Sequence, residues 1–249
     1  MADKVKALAR KTNVNKNRKR SLAAEAYDRI KQMFFNYEIV PGQKILYEDL
    51  ARLLGMSITP VINALGVLEK EGLVVSKLNR GYYASEVTVE EAMNVIEARK
   101  VLEQYCVTKL IDSWSEEKGA TLERLLEELS AYRPGSYTRK RLFMDARFHV
   151  GIARLAGNGI VEEMLAKLFE RVYLRYRVER LPKERMEVAN REHETLLDAI
   201  RRRDKEDALR ALDVHFETIR GNVLGTVRSE RWDEAVEDEV VEELVILRE

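Results

Sequence analysis

"PGQKILYEDLARLLGMSITPVINALGVLEKEGLVVSKLNRGYYASEV", residues 41–87, settles the architecture of the N-terminal third of the chain. Pro41 and Gly42 supply a turn, after which a short helix is predicted over Tyr47–Leu54, closed by Gly55. Ser57 or Thr59 then caps a further helix, with Pro60 in the first turn where its missing N–H costs nothing. Val61, Ala64, Leu65 and Leu68 recur at helical spacing and form the inward face of that helix. Beyond Gly72 the sequence alternates loosely and turns around Asn79, Arg80 and Gly81, which predicts a two-stranded hairpin. Upstream, from Ser21, the series Leu22, Ala26, Ile30 and Phe34 marks one more helix. Three helices and a hairpin make a winged helix-turn-helix, a fold that lays its third helix in the major groove of duplex DNA.

Composition fits such a protein. With 45% hydrophobic and 35% charged residues, 12 glycines and 4 prolines, the 249-residue chain is expected to be globular and mainly helical. No apolar run reaches the roughly 18 residues of a membrane span, and the basic N-terminus lacks the apolar core of a secretory signal, so a cytoplasmic protein without a membrane partner is expected. The lone Cys106 reads as a small buried apolar group. The net charge of zero conceals an asymmetry: residues 1–85 carry 15 Lys and Arg against 8 Asp and Glu, and the remainder is correspondingly acidic. That basic excess suits a polyanion, and much of it lies in residues 1–20, read as a solvated arm able to touch phosphates.

From Thr88 onward six helices are predicted, over residues 89–114, 116–132, 138–156, 159–180, 183–203 and 205–228, making an antiparallel bundle. All three histidines of the chain fall on apolar stripes. His149 lies one turn after Asp145 on a face with Leu142 and Ile152; His193 shares its stripe with Leu196, Leu197 and Ile200; His215 shares its stripe with Ala208, Leu212 and Ile219. His193 and His215 stand equally far on either side of the turn at Asp204, about 16 Å along each arm of a helical hairpin, so the two can meet. Three imidazoles and a carboxylate converging inside a bundle suit a divalent metal: zinc first, with nickel, manganese or iron as alternatives. Arg99 also faces inward, in "EARKVLEQY", and either pairs with Glu103 one turn away or meets a ligand carboxylate. No further histidine or inward glutamate is placed as a general base, so an enzyme is not expected.

The division expected is a basic arm (1–20), a winged helix-turn-helix (21–86), a helical metal- and ligand-binding domain (87–229) and an acidic amphipathic extension (230–249). In the extension, Trp232, Val236, Val240 and Leu244 form an apolar stripe that seeks a partner surface.

Residues 41–87 resemble the DNA-binding domain of the GntR family of bacterial transcription regulators, in Pro41-Gly42, Leu50-Ala51, Leu54-Gly55, Thr59-Pro60-Val61, Glu71-Gly72-Leu73 and Arg80-Gly81. "DARFHVGIARLAGN" (145–158) and "EHETLLDAIRRRDKEDALRALDVHF" (192–216) are similar to the helical ligand domain of its FadR-type members, called FCD. The resemblance implies a homodimeric regulator that binds a double-stranded operator. It implies a metal on Asp145, His149, His193 and His215, and a small organic acid held at the metal and by Arg99. DNA contacts are then expected from Lys44, Arg52, Ser57, Ile58, Thr59, Ile62, Asn63, Arg80 and Gly81. The chain departs from the family on the reading surface, where Ile58 and Ile62 replace arginines and Asn63 replaces glutamate. Arginine reads guanine, whereas isoleucine meets thymine methyl groups and asparagine reads adenine, so an A·T-shifted operator is expected. The alternatives are a sensor or interaction protein that has lost specific DNA binding and, further off, a metal-dependent enzyme.

Overall fold

The computed structural model describes residues 21–176 and 181–228, with side chains to residue 224. The basic arm and the acidic extension read from the sequence lie outside the described residues.

The N-terminal part comprises α1 (Leu22–Phe35), β1 (Lys44–Ile45), α2 (Tyr47–Leu54), α3 (Ile58–Lys70), β2 (Val74–Lys77) and β3 (Gly81–Ala84). Ser21 caps α1, its side chain accepting from the Ala24 amide at 3.1 Å. Gly55 ends α2 at φ 66°, a left-handed position that glycine occupies without strain. Ser57 stands at the N-cap of α3 in extended conformation, but without the side-chain capping bond expected of it. The three strands form an antiparallel sheet in the order β1-β3-β2, with Lys44 opposite Tyr83 and Val75 opposite Tyr83 on the other side. Ala26, Ile30 and Phe34 meet Val61, Ala64, Leu65 and Leu68 in one buried core. Leu22 does not join it: it is the first residue of α1, beyond the reach of that core, and is exposed.

Six helices follow: α4 (Val89–Asp112), α5 (Glu116–Ala131), α6 (Arg139–Ala156), α7 (Gly159–Tyr173), α8 (Glu184–Arg201) and α9 (Lys205–Arg228). The first four start at side-chain caps, from Thr88, Ser115, Thr138 and Asn158. Their apolar stripes close around a second core that includes Cys106, Phe148, Phe169, Leu196 and Phe216. The fourth helix stops at Tyr173, short of the predicted residue 180. Leu174 is drawn into the N-terminal core, and the buried Arg139 takes up the carbonyls of Tyr173 and, at 3.1 Å, Tyr176.

The two parts are tied at that point. Phe35 of α1 lies against Phe143 of α6 with ring centroids 3.8 Å apart. The buried Lys31 pairs with Glu170 at 2.9 Å and Glu71 at 3.3 Å. Arg175 donates to the Gly72 carbonyl at 2.8 Å and also pairs with Glu91. Among the described residues no single helix is long and apolar enough to cross a membrane; the bent pair α2 and α3 passes such a test together, but Leu50, Leu54, Val61, Leu65 and Leu68 of that pair are buried in the N-terminal core.

Candidate metal centre and DNA-reading surface

Helical spacing brings the histidines together. His149 on α6, His193 on α8 and His215 on α9 are at most 1% exposed, with ring centroids 5.0, 5.0 and 4.7 Å apart pairwise. One nitrogen from each falls in a group whose members all lie within 4.8 Å of one another. His149 Nε2 and His193 Nε2 are 3.2 Å apart. Asp145 flanks the group, its Oδ1 3.6 Å from His193 Nε2.

Three of the four members are held by a second residue. The His215 Nδ1–H donates to Glu192 Oε2 at 2.7 Å, leaving Nε2 buried and without a partner. His149 Nδ1 faces Glu103 Oε2 at 2.7 Å. The Tyr173 hydroxyl donates to Asp145 Oδ2 at 3.0 Å. His193 Nδ1 is also buried without a partner. Carboxylates and backbone groups behind a histidine fix its ring and its proton, as they do behind metal-bound imidazoles.

The electrostatics favour neutral rings at His193 and His215 beside ionised carboxylates. Burial, and after it the charge of His215, pushes the His193 imidazole well below its usual value; burial likewise lowers His215. Burial alone would raise Asp145, but the imidazoles, His193 first, and Arg99 hold it well below the usual carboxylate range. Burial is likewise outweighed at Glu103, where His149 and Arg99 bring the carboxyl to about 2. Neutral imidazoles and an anionic carboxylate are the forms a metal binds.

These residues fit a divalent ion. Two nitrogens bound to one ion at about 2.0–2.1 Å in tetrahedral arrangement stand about 3.3–3.4 Å apart, close to the 3.2 Å between His149 and His193. The buried Nε2 of His215, without a partner, carries a desolvation cost that coordination would remove.

Beside the cluster lies a cavity of about 80 Å³ whose wall includes Arg99, Asp145, Phe169, Tyr173 and Asn222. Arg99 does pair with Glu103, Nε to Oε1 at 2.9 Å, and its guanidinium lies 3.8 Å over the Phe169 ring, yet Nη2 stays buried and without a partner. Glu103, which the sequence offers only as a possible partner of Arg99, is 2% exposed and wedged between Arg99 and His149. Its i,i+4 spacing from Arg99 was the available signal, but that spacing equally describes a surface pair, and His149 arrives only through tertiary packing. Glu192 was missed although it precedes His193 in sequence, because it serves the histidine of the adjacent helix. Tyr173 carried no periodic signal at all.

The DNA-facing candidates lie on α2, α3, β1 and the hairpin of the N-terminal part. Ile58, Thr59, Ile62 and Asn63 are exposed on α3, opposite its buried Val61, Ala64 and Leu65, with Ile58 at 42% and Ile62 at 37%. Ser57 precedes them, Arg52 on α2 is exposed beside Asp49 at 3.2 Å, and Lys44 is exposed on β1. Arg80 is exposed in the hairpin turn, and Gly81 follows at φ 86°.

Residues 22–84 match the family described as bacterial regulatory proteins, gntR family, and residues 94–218 match the FCD domain. Relatives include the uncharacterized HTH-type transcriptional regulator YdhC of Bacillus subtilis, 27% identical over 76% of this chain and 85% of its own length. Another is the HTH-type transcriptional regulator McbR of Escherichia coli, 24% identical over 75% of this chain and 85% of its own. The solved structure of E. coli McbR/YncC has the same fold, with a TM-score of 0.65 at 22% identity, covering 84% of this chain and 99% of that one. A transcriptional regulator structure from Rhodococcus sp. RHA1 gives 0.63 at 20% identity, over 82% and 97%. The chain therefore belongs to the GntR family of bacterial regulatory proteins, as a DNA-binding transcription regulator whose winged helix-turn-helix is joined to an all-helical FCD domain.

Proposed function

We propose that the protein is a homodimeric, effector-responsive regulator whose helical domain holds a divalent metal and a small carboxylate, and whose winged helix-turn-helix binds a palindromic operator. One observation carries this reading: three buried imidazoles, with His215 Nε2 lacking a partner, converge beside a cavity whose wall includes Asp145 and Arg99. His149, His193, His215 and Asp145 hold the metal, with zinc the leading ion and nickel, manganese or iron also compatible with such ligands. A bound divalent ion supplies open coordination positions to a carboxylate oxygen. Arg99 anchors the same anion by a charge-assisted bond, and Glu103 keeps both Arg99 and His149 in place.

At the other end, Lys44, Arg52, Ser57, Thr59, Arg80 and Gly81 approach phosphates, while Ile58, Ile62 and Asn63 face base edges. A two-fold operator implies a two-fold protein. The effector acts only through different affinities for the DNA-competent and DNA-incompetent arrangements.

The test is selection of bound sequences from a random duplex library with zinc-loaded protein, followed by salt and effector titrations on the enriched site. An enriched palindrome whose affinity changes on effector addition is expected. Absence of any enrichment, with only steeply salt-dependent binding, would move the reading to a sensor that has lost specific DNA recognition.

A further inference from the structure

We infer that Leu78, at the tip of the β2–β3 hairpin, is an apolar wedge that enters the minor groove beside the half-site read by α3 and bends the operator there. This rests on the operator-binding reading above and adds a reading element to it.

Leu78 has no structural role in the hairpin. It is 91% exposed, the highest value among the exposed large hydrophobic side chains of the described residues, where the next is Ile160 at 70%. Tight turns favour glycine, asparagine, aspartate and serine, and the two left-handed positions of this one are filled accordingly, by Asn79 at φ 59° and Gly81 at φ 86°. Leu78 has no such backbone duty and packs on nothing that would bury it. It therefore holds in reserve the whole gain of removing a leucine side chain from water.

Duplex DNA is the partner that the surroundings fit. The hairpin is strapped to the reading helix: β2 begins four residues after α3 ends, and the Ser76 N–H donates to Glu69 of α3 at 2.9 Å. With α3 in a major groove, the tip of a hairpin so placed meets the flanking backbone and the minor groove beyond it. Lys77 and Arg80 stand on either side of Leu78 and Asn79; Lys77 lies over the Tyr83 ring at 4.3 Å, and Arg80 has no ion pair among the described residues. An apolar tip between two cations suits a groove walled by phosphates and floored by stacked bases. Apolar side chains that enter DNA from this side part a base step and bend the duplex by about 20–90°.

The tip is firm enough to do so. Lys77 pairs with Gly81 at the end of the ladder, and the Arg80 N–H donates to the Lys77 carbonyl at 2.9 Å, so Leu78 sits on a closed turn that loses little freedom on binding. The chemistry of α3 gives the wedge a purpose. Ile58 and Ile62 cannot donate to guanine, and a protein that parts a base step gains specificity from how readily that step deforms, TA and CA/TG being the most pliant.

The experiment runs parallel selections from one random duplex library with the full-length parent and with Leu78→Ser, and measures bending of the parent's selected duplex by energy transfer between dyes at its two ends. The parent is expected to enrich TA or CA/TG at a fixed distance outside each α3 half-site and to bend its duplex by at least about 20°. Leu78→Ser keeps the half-sites but loses the flanking step and most of the bend. It binds about tenfold more weakly, with the same salt dependence because no phosphate contact is lost. Leu78→Phe, which can still wedge, retains both step and bend. Retention of either the flanking step or the bend in Leu78→Ser overturns the inference and leaves operator reading standing. Conversion of Leu78→Ser to a smaller oligomer on sizing also overturns it, by making Leu78 a protein contact. If the parent enriches no sequence at all, the operator-binding reading itself falls, and this inference with it.

Discussion

Tyr173 is linked to the N-terminal part through Arg139: its hydroxyl donates to Asp145 Oδ2 at 3.0 Å, while its backbone carbonyl accepts from Arg139 of α6, the helix that also carries Asp145, and the Arg139 guanidinium lies 4.3 Å over the ring of Tyr37. The next residue, Leu174, is buried in the N-terminal core, and Arg175 grips the Gly72 carbonyl. Whatever shifts Asp145 therefore bears on the segment that seats the winged helix-turn-helix. Tyr173→Phe is expected to leave zinc affinity within a few-fold of the parent. It should, however, shrink the change in operator affinity that a carboxylate effector produces, which for coupled sites is typically about 5–150-fold. Gel-shift titrations with and without the effector measure that ratio, and an unaltered ratio would remove Tyr173 from the coupling.

Metal binding should depend on residues that never touch the ion. His193→Ala removes a ligand from a fully buried cluster and is expected to abolish zinc binding, read as metal content per chain. Glu192→Gln retains the size of the side chain but weakens the hold on His215 Nδ1–H, and should lower zinc affinity about 10–100-fold. Competition against a chromophoric chelator reads both. Parent-like affinity in Glu192→Gln would show that His215 does not bind through the nitrogen that this carboxylate leaves open.

The junction between the two parts rests on few charges. Lys31 is buried between Glu170 and Glu71, so Lys31→Ala leaves two carboxylates facing each other without their cation. With both glutamates partly solvated, the loss should be about 1–3 kcal/mol, or roughly 2–4 °C in Tm for each kcal/mol in a chain of this size. Lys31→Arg should recover most of it. Thermal unfolding that is unchanged in Lys31→Ala would leave the junction to contacts such as Phe35 on Phe143, Leu174 in the N-terminal core and Arg175 on Gly72.

Cys106 is expected to be inert. It is fully buried in the helical core, and burial pushes its thiol up to about 12, so almost no thiolate exists at neutral pH. Iodoacetamide should label the unfolded chain once and the native protein not at all. Rapid labelling of native protein would show that α4 opens readily.

Periodicity carried much of the site into view before any coordinates. Asp145, His149, His193 and His215 were legible because each sits on an apolar stripe, and a helix that turns a polar residue inward must give it a partner. Equal spacing about Asp204 even placed His193 against His215, as the 4.7 Å between their rings shows. Glu103, Glu192 and Tyr173 were not legible as part of it, since each acts across helices at a register that only packing fixes. The fourth bundle helix was drawn too long for the same reason: local propensity continues past Tyr173, but Leu174 gains more by burial in the neighbouring core.

The reading surface makes a sharp demand on its DNA. Ile58 and Ile62 stand one turn apart on the exposed side of α3, at its N-terminal end, where a helix of this fold meets base edges. Neither can donate to guanine, but each can cover the C5-methyl group of thymine. If they read methyl groups, replacing the facing thymines of the selected operator by uracil removes the contact and leaves every hydrogen bond and phosphate in place. Each replacement should weaken binding by a few-fold up to about tenfold, within the roughly 1–3 kcal/mol that a wrong base costs, and the salt dependence should stay unchanged because no phosphate contact is lost. Ile58→Ala and Ile62→Ala should abolish the difference between the thymine and uracil duplexes. Equal affinity of the parent protein for the two duplexes would show that the isoleucines do not read the operator, and specificity would then have to come from Asn63, the hairpin or the shape of the DNA.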